Sequence, residues 1–518
     1  MNVFTLVRSI NCCCLLLAAL AATGCATNPV TRKTELAFVS EQQEISMGAK
    51  QYLHSQQSAG GKFVLDPALA AYVNAVGQKL VKVSDRPQLP FEFVIINDTV
   101  PNAWALPGGK LAVNRGLLTE LKSEAELAAV LAHEIVHAAA RHGASAVERG
   151  TLLSAGAAVI SVLTADNRAA DLIDVATQGG AMLLNFRFSR EHELEADRYG
   201  LDYMVRAGYD PQAAVELQET FVRLAGGKQP NWLEGMFASH PPSQERVDAN
   251  RAKAAGMPAG LFRGEEVYRQ KLALLTKIRP AYAAHDEGRK LLEKQPAQAL
   301  AQADQALELE PREAMFHALR GDALKKLGRD AEAEREYDAA IKRNDAYYAY
   351  YLNRGLVRQR LGNQGGAQSD LEHANKLLPT AAAHYQLGKL AQGAGNSAKA
   401  IGHYKLAAGA DSDLGRRAGA ALLRLDLLRN PGNYVQVEAV ADGKGNLGLR
   451  VGNRSPLSLT RLRVTGVVPA AGFQREYEVA GMLKPGQSTV VPMGVRLADF
   501  NVGLGQVRGQ VRSAEPVE

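Results

Sequence analysis

The sequence predicts three structural units in series: an α+β domain, an all-α solenoid of helical repeats and a small all-β, sandwich-like domain. Three observations predict this. Residues up to about 260 mix short β-rich runs with helical spacing, and between 282 and 428 small and apolar residues recur with a long, regular period. From Pro431 onward, short alternating runs are separated by Gly, Asn and Pro. A chain of 518 residues exceeds what one hydrophobic core serves, so several domains are expected. With 22% charged and 46% hydrophobic residues the composition is that of globular protein, which excludes wholesale disorder. A formal charge of +6 without a clustered basic stripe argues against nucleic acid as a partner.

At the start of the chain, Arg8 precedes an apolar stretch from Cys12 to Ala22, of secretory length and too short to span a bilayer. The stretch closes on Ala22-Thr23-Gly24-Cys25, which resembles a bacterial lipobox, although Ala22 stands where leucine is commoner. Residues 1–24 are then expected to be a lipoprotein signal peptide, and Cys25 the lipidation site that anchors the chain to a membrane. The alternative is a plain secretory signal ending on a chance cysteine. All four cysteines (Cys12, Cys13, Cys14 and Cys25) lie in or at the end of this leader. No internal disulfide is therefore expected in the mature chain, despite the oxidising compartment the leader implies. Further on, Leu152 to Ala165 is apolar but interrupted by Ser154, Gly156, Ser161 and Thr164, and predicts a buried or membrane-surface helix rather than a span.

The α+β domain is expected over 25–260. Ser40 with Gln43 has the form of a capping box opening a helix to about Gln57. Phe91 to Ile96 reads as a strand. Asn102 to Leu106 and Lys110 to Asn114 read as a hairpin around Pro107-Gly108-Gly109. Helical spacing runs from Ser123 to His142, and further helices follow to about 258 around a Gly226-Gly227 loop and Pro241-Pro242.

The repeat region, 282–428, is set by its period. Gly321, Leu327, Gly328, Ala333, Tyr337 and Ala340 recur as Gly355, Leu361, Gly362, Ala367, Leu371 and Ala374, and again as Gly388, Gly395, Ala400, Tyr404 and Ala407. An earlier copy shows in Ala299, Ala303 and Ala306. A period of roughly 34 residues with small residues where paired helices touch is the tetratricopeptide pattern, a solenoid suited to binding something extended. Tyr347, Tyr348, Tyr350 and Tyr351 either line the groove or divide between core and surface. Over 431–518, strands are expected at Tyr434–Val440, Leu447–Val451, Leu459–Val467, Glu476–Val479 and Ser488–Val495, without a catalytic cluster.

The chemistry concentrates in His133-Glu134-Ile135-Val136-His137. Residues four apart on a helix differ by about 40°, so both imidazoles share a face and can share a metal ion. Glu134 stands beside them as a candidate base toward water. By themselves these five residues also fit two helical histidines beside a surface glutamate. A third ligand is expected from Ser189 to Asp197, where Glu193 and Asp197 share a face while Glu191 and Glu195 point roughly 200° away. Glu193 as ligand and Asp197 as acceptor for a ligand imidazole suit the usual design of such sites, an acidic helix surface being the alternative. His142 lies about 180° around the helix from His133 and is expected to be structural or exposed, and His192, turned from the Glu193 face, is expected to be solvated.

These motifs, with Ser239-His240-Pro241-Pro242-Ser243-Gln244-Glu245-Arg246 and Asn102-Ala103-Trp104-Ala105-Leu106-Pro107-Gly108-Gly109, resemble the metallopeptidase family that includes the CAAX prenyl endopeptidases and HtpX. The lipobox and repeats bring the chain nearest to its periplasmic, tetratricopeptide-containing members, from which the lipid anchor and the C-terminal β-domain depart. The resemblance implies a gluzincin-like zinc peptidase domain with one Zn2+ per chain, held by His133, His137 and Glu193. It further implies Glu134 as catalytic base, Arg246 beside the site, and His240 near the metal's open position as a brake or a catalytic group. A substrate would lie extended along the Ala103 to Leu106 strand.

The function these expectations compose is a zinc-dependent endopeptidase of the bacterial periplasm, bound by lipid to the outer membrane. Its substrates would be unfolded or misassembled envelope proteins, and the repeats would meet the outer-membrane assembly machinery. The competing expectation is a periplasmic chaperone or docking adaptor working through its repeats, with the zinc site largely shut. A prenyl-protein protease is disfavoured, because the mature sequence lacks the membrane-spanning helices a lipidated substrate would need.

Overall fold

A computed structural model describes residues 25–151, 188–226 and 239–517. The leader, the apolar stretch 152–165 and Gly227 of the expected loop lie outside the described residues. Contacts divide the chain into two compact units, Met1–Leu361 and Gly362–Glu518.

The first unit opens with an antiparallel ribbon, β1 (Cys25–Thr27) with β2 (Thr34–Leu36). Helix α1 (Glu41–Ser58) follows, started by the capping box of Ser40 and Gln43. Helix α2 (Pro67–Val81) leads into β3 (Glu92–Ile96), β4 (Ala103–Leu106) and β5 (Lys110–Asn114), which form a sheet of order β3-β5-β4. β3 and β5 run parallel; β4 and β5 are the expected hairpin. Both faces of this sheet are covered, which is why its strands read as nearly continuous apolar runs. Val94, Ile96, Trp104, Leu106 and Ala112 pack with Tyr52 of α1 on one face. Ile95, Ala103, Leu111 and Val113 join the main core on the other. The hairpin turn needs its glycines: Gly108 has φ +75, and a Cβ there would come 2.6 Å from Ile45 Cα of α1.

A short helix, α3 (Arg115–Leu118), precedes the central helix α4 (Glu124–Ala139), which is capped by the Ser123 side chain and almost wholly buried. Its C-terminal carbonyls are met from outside. Asn28 donates to Ala140 O at 2.9 Å and Arg86 to Ala138 O at 3.4 Å. Arg86 is itself buried against Glu44, which also pairs with Arg141 at 3.3 Å. Arg141 takes a positive φ of 61 and breaks the helix, and residues 142–151 are helical in a new direction. The expected helix to His142 therefore ends three residues early.

Helix α5 (Arg190–Arg206) packs along α4, followed by α6 (Gln212–Gly226) and α7 (Gln244–Ala254). Ser189 and Ser243 cap α5 and α7. Two short helices, α8 (Glu265–Lys271) and α9 (Ala273–Lys277), lead to the repeats: α10 (Arg279–Leu291), α11 (Pro296–Leu309), α12 (Ala314–Lys326), α13 (Asp330–Arg343) and α14 (Tyr348–Arg360).

The first repeats share the core of the α+β domain. Tyr282 and Phe316 belong to the same buried cluster as Ile95 and Leu117. Arg115 donates to Asn97 Oδ1 at 2.9 Å and lies 3.4 Å over the Tyr282 ring. Glu313 accepts from Asn97 at 3.2 Å and from Tyr282 at 2.8 Å. Gln57 of α1 bridges Ala346 O and Tyr348 N at 2.6 and 2.8 Å. The tyrosine run divides, with half of it in the core as expected but the other half not on the open surface. Tyr350 and Tyr351 are buried, while Tyr347 and Tyr348 are half-buried beside Gly61 and Gln57, so none is exposed. Deleting residues 282–428 strips this shared core, removing Tyr282 from over Arg115 and Glu313 from the Asn97 amide. Cleavage of an unfolded test protein is then expected to be lost together with the repeats, in step with loss of the cooperative thermal transition.

The second unit opens with α15 (Gln364–Leu377), α16 (Ala381–Gly393), α17 (Ser397–Ala408) and α18 (Asp413–Arg429), which pack as neighbours in chain order. The sandwich has six strands: β6 (Val435–Ala441), β7 (Asn446–Asn453), β8 (Leu459–Val468), β9 (Phe473–Glu478), β10 (Ser488–Arg496) and β11 (Arg508–Pro516). They form two antiparallel sheets of order β10-β7-β6 and β11-β8-β9 around one core, which Leu427 of α18 enters. The sixth strand escaped the sequence reading because Arg508, Arg512 and Glu515 dilute its alternation. Among the described residues no helix is long and apolar enough to cross a membrane.

Candidate metal centre

The polar groups of α4, α5 and the turn before α7 converge on one point. His133, His137, Glu193 and His240 each turn a donor atom inward, all within 4.8 Å of one another. The two imidazoles come from successive turns of α4, with their Nε2 atoms 3.1 Å apart. Glu193 reaches them from the first turn of α5, 3.5 Å from His133 Nε2 and 3.4 Å from His137 Nε2. His240 enters with Nδ1 at 2.9 Å from Glu193 Oε1 and 3.3 Å from His133 Nε2. Its Nε2 lies 3.5 Å from Glu134 Oε1.

A shell of charge holds this group. Asp197, one turn after Glu193, contacts His133 Nδ1 at 2.9 Å. Arg246 closes on Asp197 with Nε at 2.6 Å and Nη2 at 2.8 Å, and donates to Pro241 O at 3.1 Å. Its Nη1 stands 2.8 Å from Glu193 Oε2 without hydrogen-bond alignment. Burial opposes charge on Asp197, but Arg246 and His133 outweigh it and hold the carboxyl below the usual range. Burial likewise opposes charge on Glu193, which His240 and His133 keep well below the usual range. Burial drives His137 well below the ordinary imidazole value. His133 goes the other way. Against burial, Glu193 and Asp197 raise it to about 10.

The residues fit a divalent cation. Glu193 Oε2 and Glu134 Oε2 are buried without a hydrogen-bond donor among the described residues, a costly arrangement that a cation beside them relieves. Two imidazoles, a carboxylate and a further imidazole are the donor set that zinc takes. Beside the group, an apolar pocket is lined by Val130, Leu201, Met204, Leu217 and Phe221.

All of the site residues expected in the peptidase domain lie together here: His133, Glu134, His137, Glu193, Asp197, His240 and Arg246. Cys25 stands apart at the start of β1. Two expectations fail. His142 is buried, as a structural histidine would be, but not on the far side of α4. The break at Arg141 turns it back, so its Nδ1 lies 3.0 Å from His137 Nδ1. His192 is not solvated: it stacks on His142 with ring centres 4.1 Å apart. Phe188, also missed, covers the His137 ring at 3.9 Å. Helical extrapolation past Ala139 misplaced His142, and nothing in the local composition around Arg141 announces a break.

Helix, sheet and donor cluster together define a metallopeptidase domain. Residues 67–254 match the sequence profile of peptidase family M48, and this part of the chain is a domain of that family. Among its relatives, the beta-barrel assembly-enhancing protease of Escherichia coli (strain K12) is 32% identical over 241 residues, 45% of this chain and 48% of that protein. The mitochondrial metalloendopeptidase OMA1 of Schizosaccharomyces pombe is 37% identical over 180 residues, 34% of this chain and 50% of that protein. The chain thus spans about half the length of these relatives. The Arabidopsis OM64 TPR domain is similar to 23% of this chain and 98% of its own at 23% identity, with a TM-score of 0.22.

Proposed function

We propose that the chain is a zinc-dependent endopeptidase of the bacterial envelope that degrades unfolded or misassembled outer-membrane proteins. The observation that carries this is the convergence of His133, His137, Glu193 and His240 within 4.8 Å, with Glu134 beside them. His133, His137 and Glu193 would hold one zinc per chain. Zinc supplies Lewis-acid chemistry, lowering the pKa of water and polarising the scissile carbonyl. Glu134 takes the proton of the attacking water and returns it to the leaving amine. Asp197 orients the His133 ring through Nδ1, as ligand imidazoles require. Arg246 is a positioning residue rather than a catalytic one, since Asp197, Glu193 and Pro241 O engage its guanidinium. The substrate backbone pairs with β4, which among the described residues bonds to β5 on one side only.

The relatives named beta-barrel assembly-enhancing protease support the envelope setting and the substrate class. The lipobox ending at Cys25 supports a periplasmic chain anchored to the outer membrane, and the repeats suit docking to its assembly machinery. His240 favours a restrained resting state. It stands between Glu134 and Glu193, where a substrate water has to come, and Pro241-Pro242 stiffens the backbone behind it. A docking adaptor with a shut site would share that contact, and activity separates the two. Purified protein should cleave a casein-type unfolded substrate, lose this with a chelator and regain it with zinc. His240→Ala should cleave faster than wild type at equal zinc content. Cleavage that ignores the chelator contradicts the metal mechanism, and an inactive, zinc-loaded His240→Ala contradicts the brake.

A further inference from the structure

His137 and His133 are supported in different ways. Behind His133 stands a carboxylate, Asp197, the usual partner. Behind His137 stands an imidazole. His142 Nδ1 is 3.0 Å from His137 Nδ1, and its far nitrogen, Nε2, is 3.5 Å from Glu195 Oε2. Glu195 is held in turn by Lys33 of the β1–β2 ribbon at 2.7 Å. His192 stacks flat on His142, with an interplanar angle of 7°.

The atoms fix the hydrogens. His137 turns Nε2 toward the donor cluster, 3.1 Å from His133 Nε2 and 3.4 Å from Glu193 Oε1. A ligand nitrogen presents its lone pair, so the one hydrogen of neutral His137 sits on Nδ1. That hydrogen points at His142 Nδ1, which must accept. The hydrogen of His142 is therefore on Nε2, the atom facing Glu195. Each ring then has one role available, and Glu195 is the acceptor that faces the end of the row, 3.5 Å away without hydrogen-bond alignment.

We propose that His142 is the positioning residue that fixes the tautomer and ring plane of His137, with Glu195 holding His142. This rests on the metallopeptidase reading above. Glu195, set aside from the sequence as pointing away from the ligand face, thereby acts on the centre through two rings, and the N-terminal ribbon supports it through Lys33. A packing role is the competing account, since His142 is buried among Phe188, His137 and His192.

Titrating the metal-free full chain with zinc against a chromophoric chelator reads affinity without any proteolysis. His142→Ala is expected to weaken zinc binding about 10- to 100-fold. His142→Asn, whose amide oxygen falls near the place of Nδ1, should recover part of the loss. His142→Phe, which keeps the stacking but accepts no hydrogen bond, should not. Wild-type affinity in His142→Phe overturns the proposal in favour of packing, and so does wild-type affinity in all three variants. A wild-type chain that binds no zinc overturns the metallopeptidase reading instead. If the variants fail to fold, the zinc-loaded wild type decides the matter by nitrogen-15 histidine NMR. His142 should carry its proton on Nε2, and a proton on Nδ1 overturns the proposal.

Discussion

Glu134→Gln is expected to lower hydrolysis of an unfolded substrate about 10²- to 10⁴-fold, the range that a general base contributes. The substitution keeps the shape of the side chain and removes the group that takes a proton from water. Glu134 is buried on α4, its Oε1 is 3.5 Å from His240 Nε2, and its Oε2 has no hydrogen-bond donor among the described residues. An amide there breaks no pairing that holds the fold, so the variant should melt with the wild type and keep its zinc. It should also retain substrates that the wild type consumes, which cross-linking in cells would reveal. Residual activity within about threefold of wild type would remove Glu134 from the chemistry.

The second large effect is on stability. Arg246 is buried and closes on Asp197 through two nitrogens, with a third beside Glu193. Truncation to Ala takes the guanidinium from both buried carboxylates, which keep their histidine partners, and breaking such a pair costs about 3–5 kcal/mol. Arg246→Ala should lower the denaturant midpoint of the metal-free protein accordingly. Arg246→Lys should recover little, because a single ammonium cannot reproduce the fork that Asp197 accepts. A loss below about 1 kcal/mol would mean that the guanidinium neither compensates these charges nor positions them.

The sequence carried most of this centre because its motifs obey helical geometry. His133 and His137 share one face of α4, Glu193 and Asp197 share one face of α5, and both pairs are where a spacing of four residues puts them. The strands were legible for a similar reason: the glycines of Pro107-Gly108-Gly109 announce the hairpin, and both-face burial gives β3 and β5 unbroken apolar stretches at Phe93–Ile96 and Leu111–Val113. Legibility stopped where long-range contacts override local pattern. Arg141 takes a left-handed conformation that Glu44 supports from 97 positions earlier in the chain, and His142 turns inward with it. Tyr347 packs beside Gly61, and Gln57 of α1 bonds the backbone at Ala346 and Tyr348, contacts no repeat pattern can foresee. The shared core of Tyr282 and Phe316 is likewise invisible to periodicity, which reports that helices pair but not what else they cover.

The most direct measurement is the metal content of purified mature protein, read by elemental mass spectrometry beside His133→Ala and His137→Ala. The account predicts about one zinc per wild-type chain and little in either variant, with the repeats and sandwich still folded by circular dichroism. A wild-type chain without stoichiometric metal, or equal zinc in the variants, would contradict it.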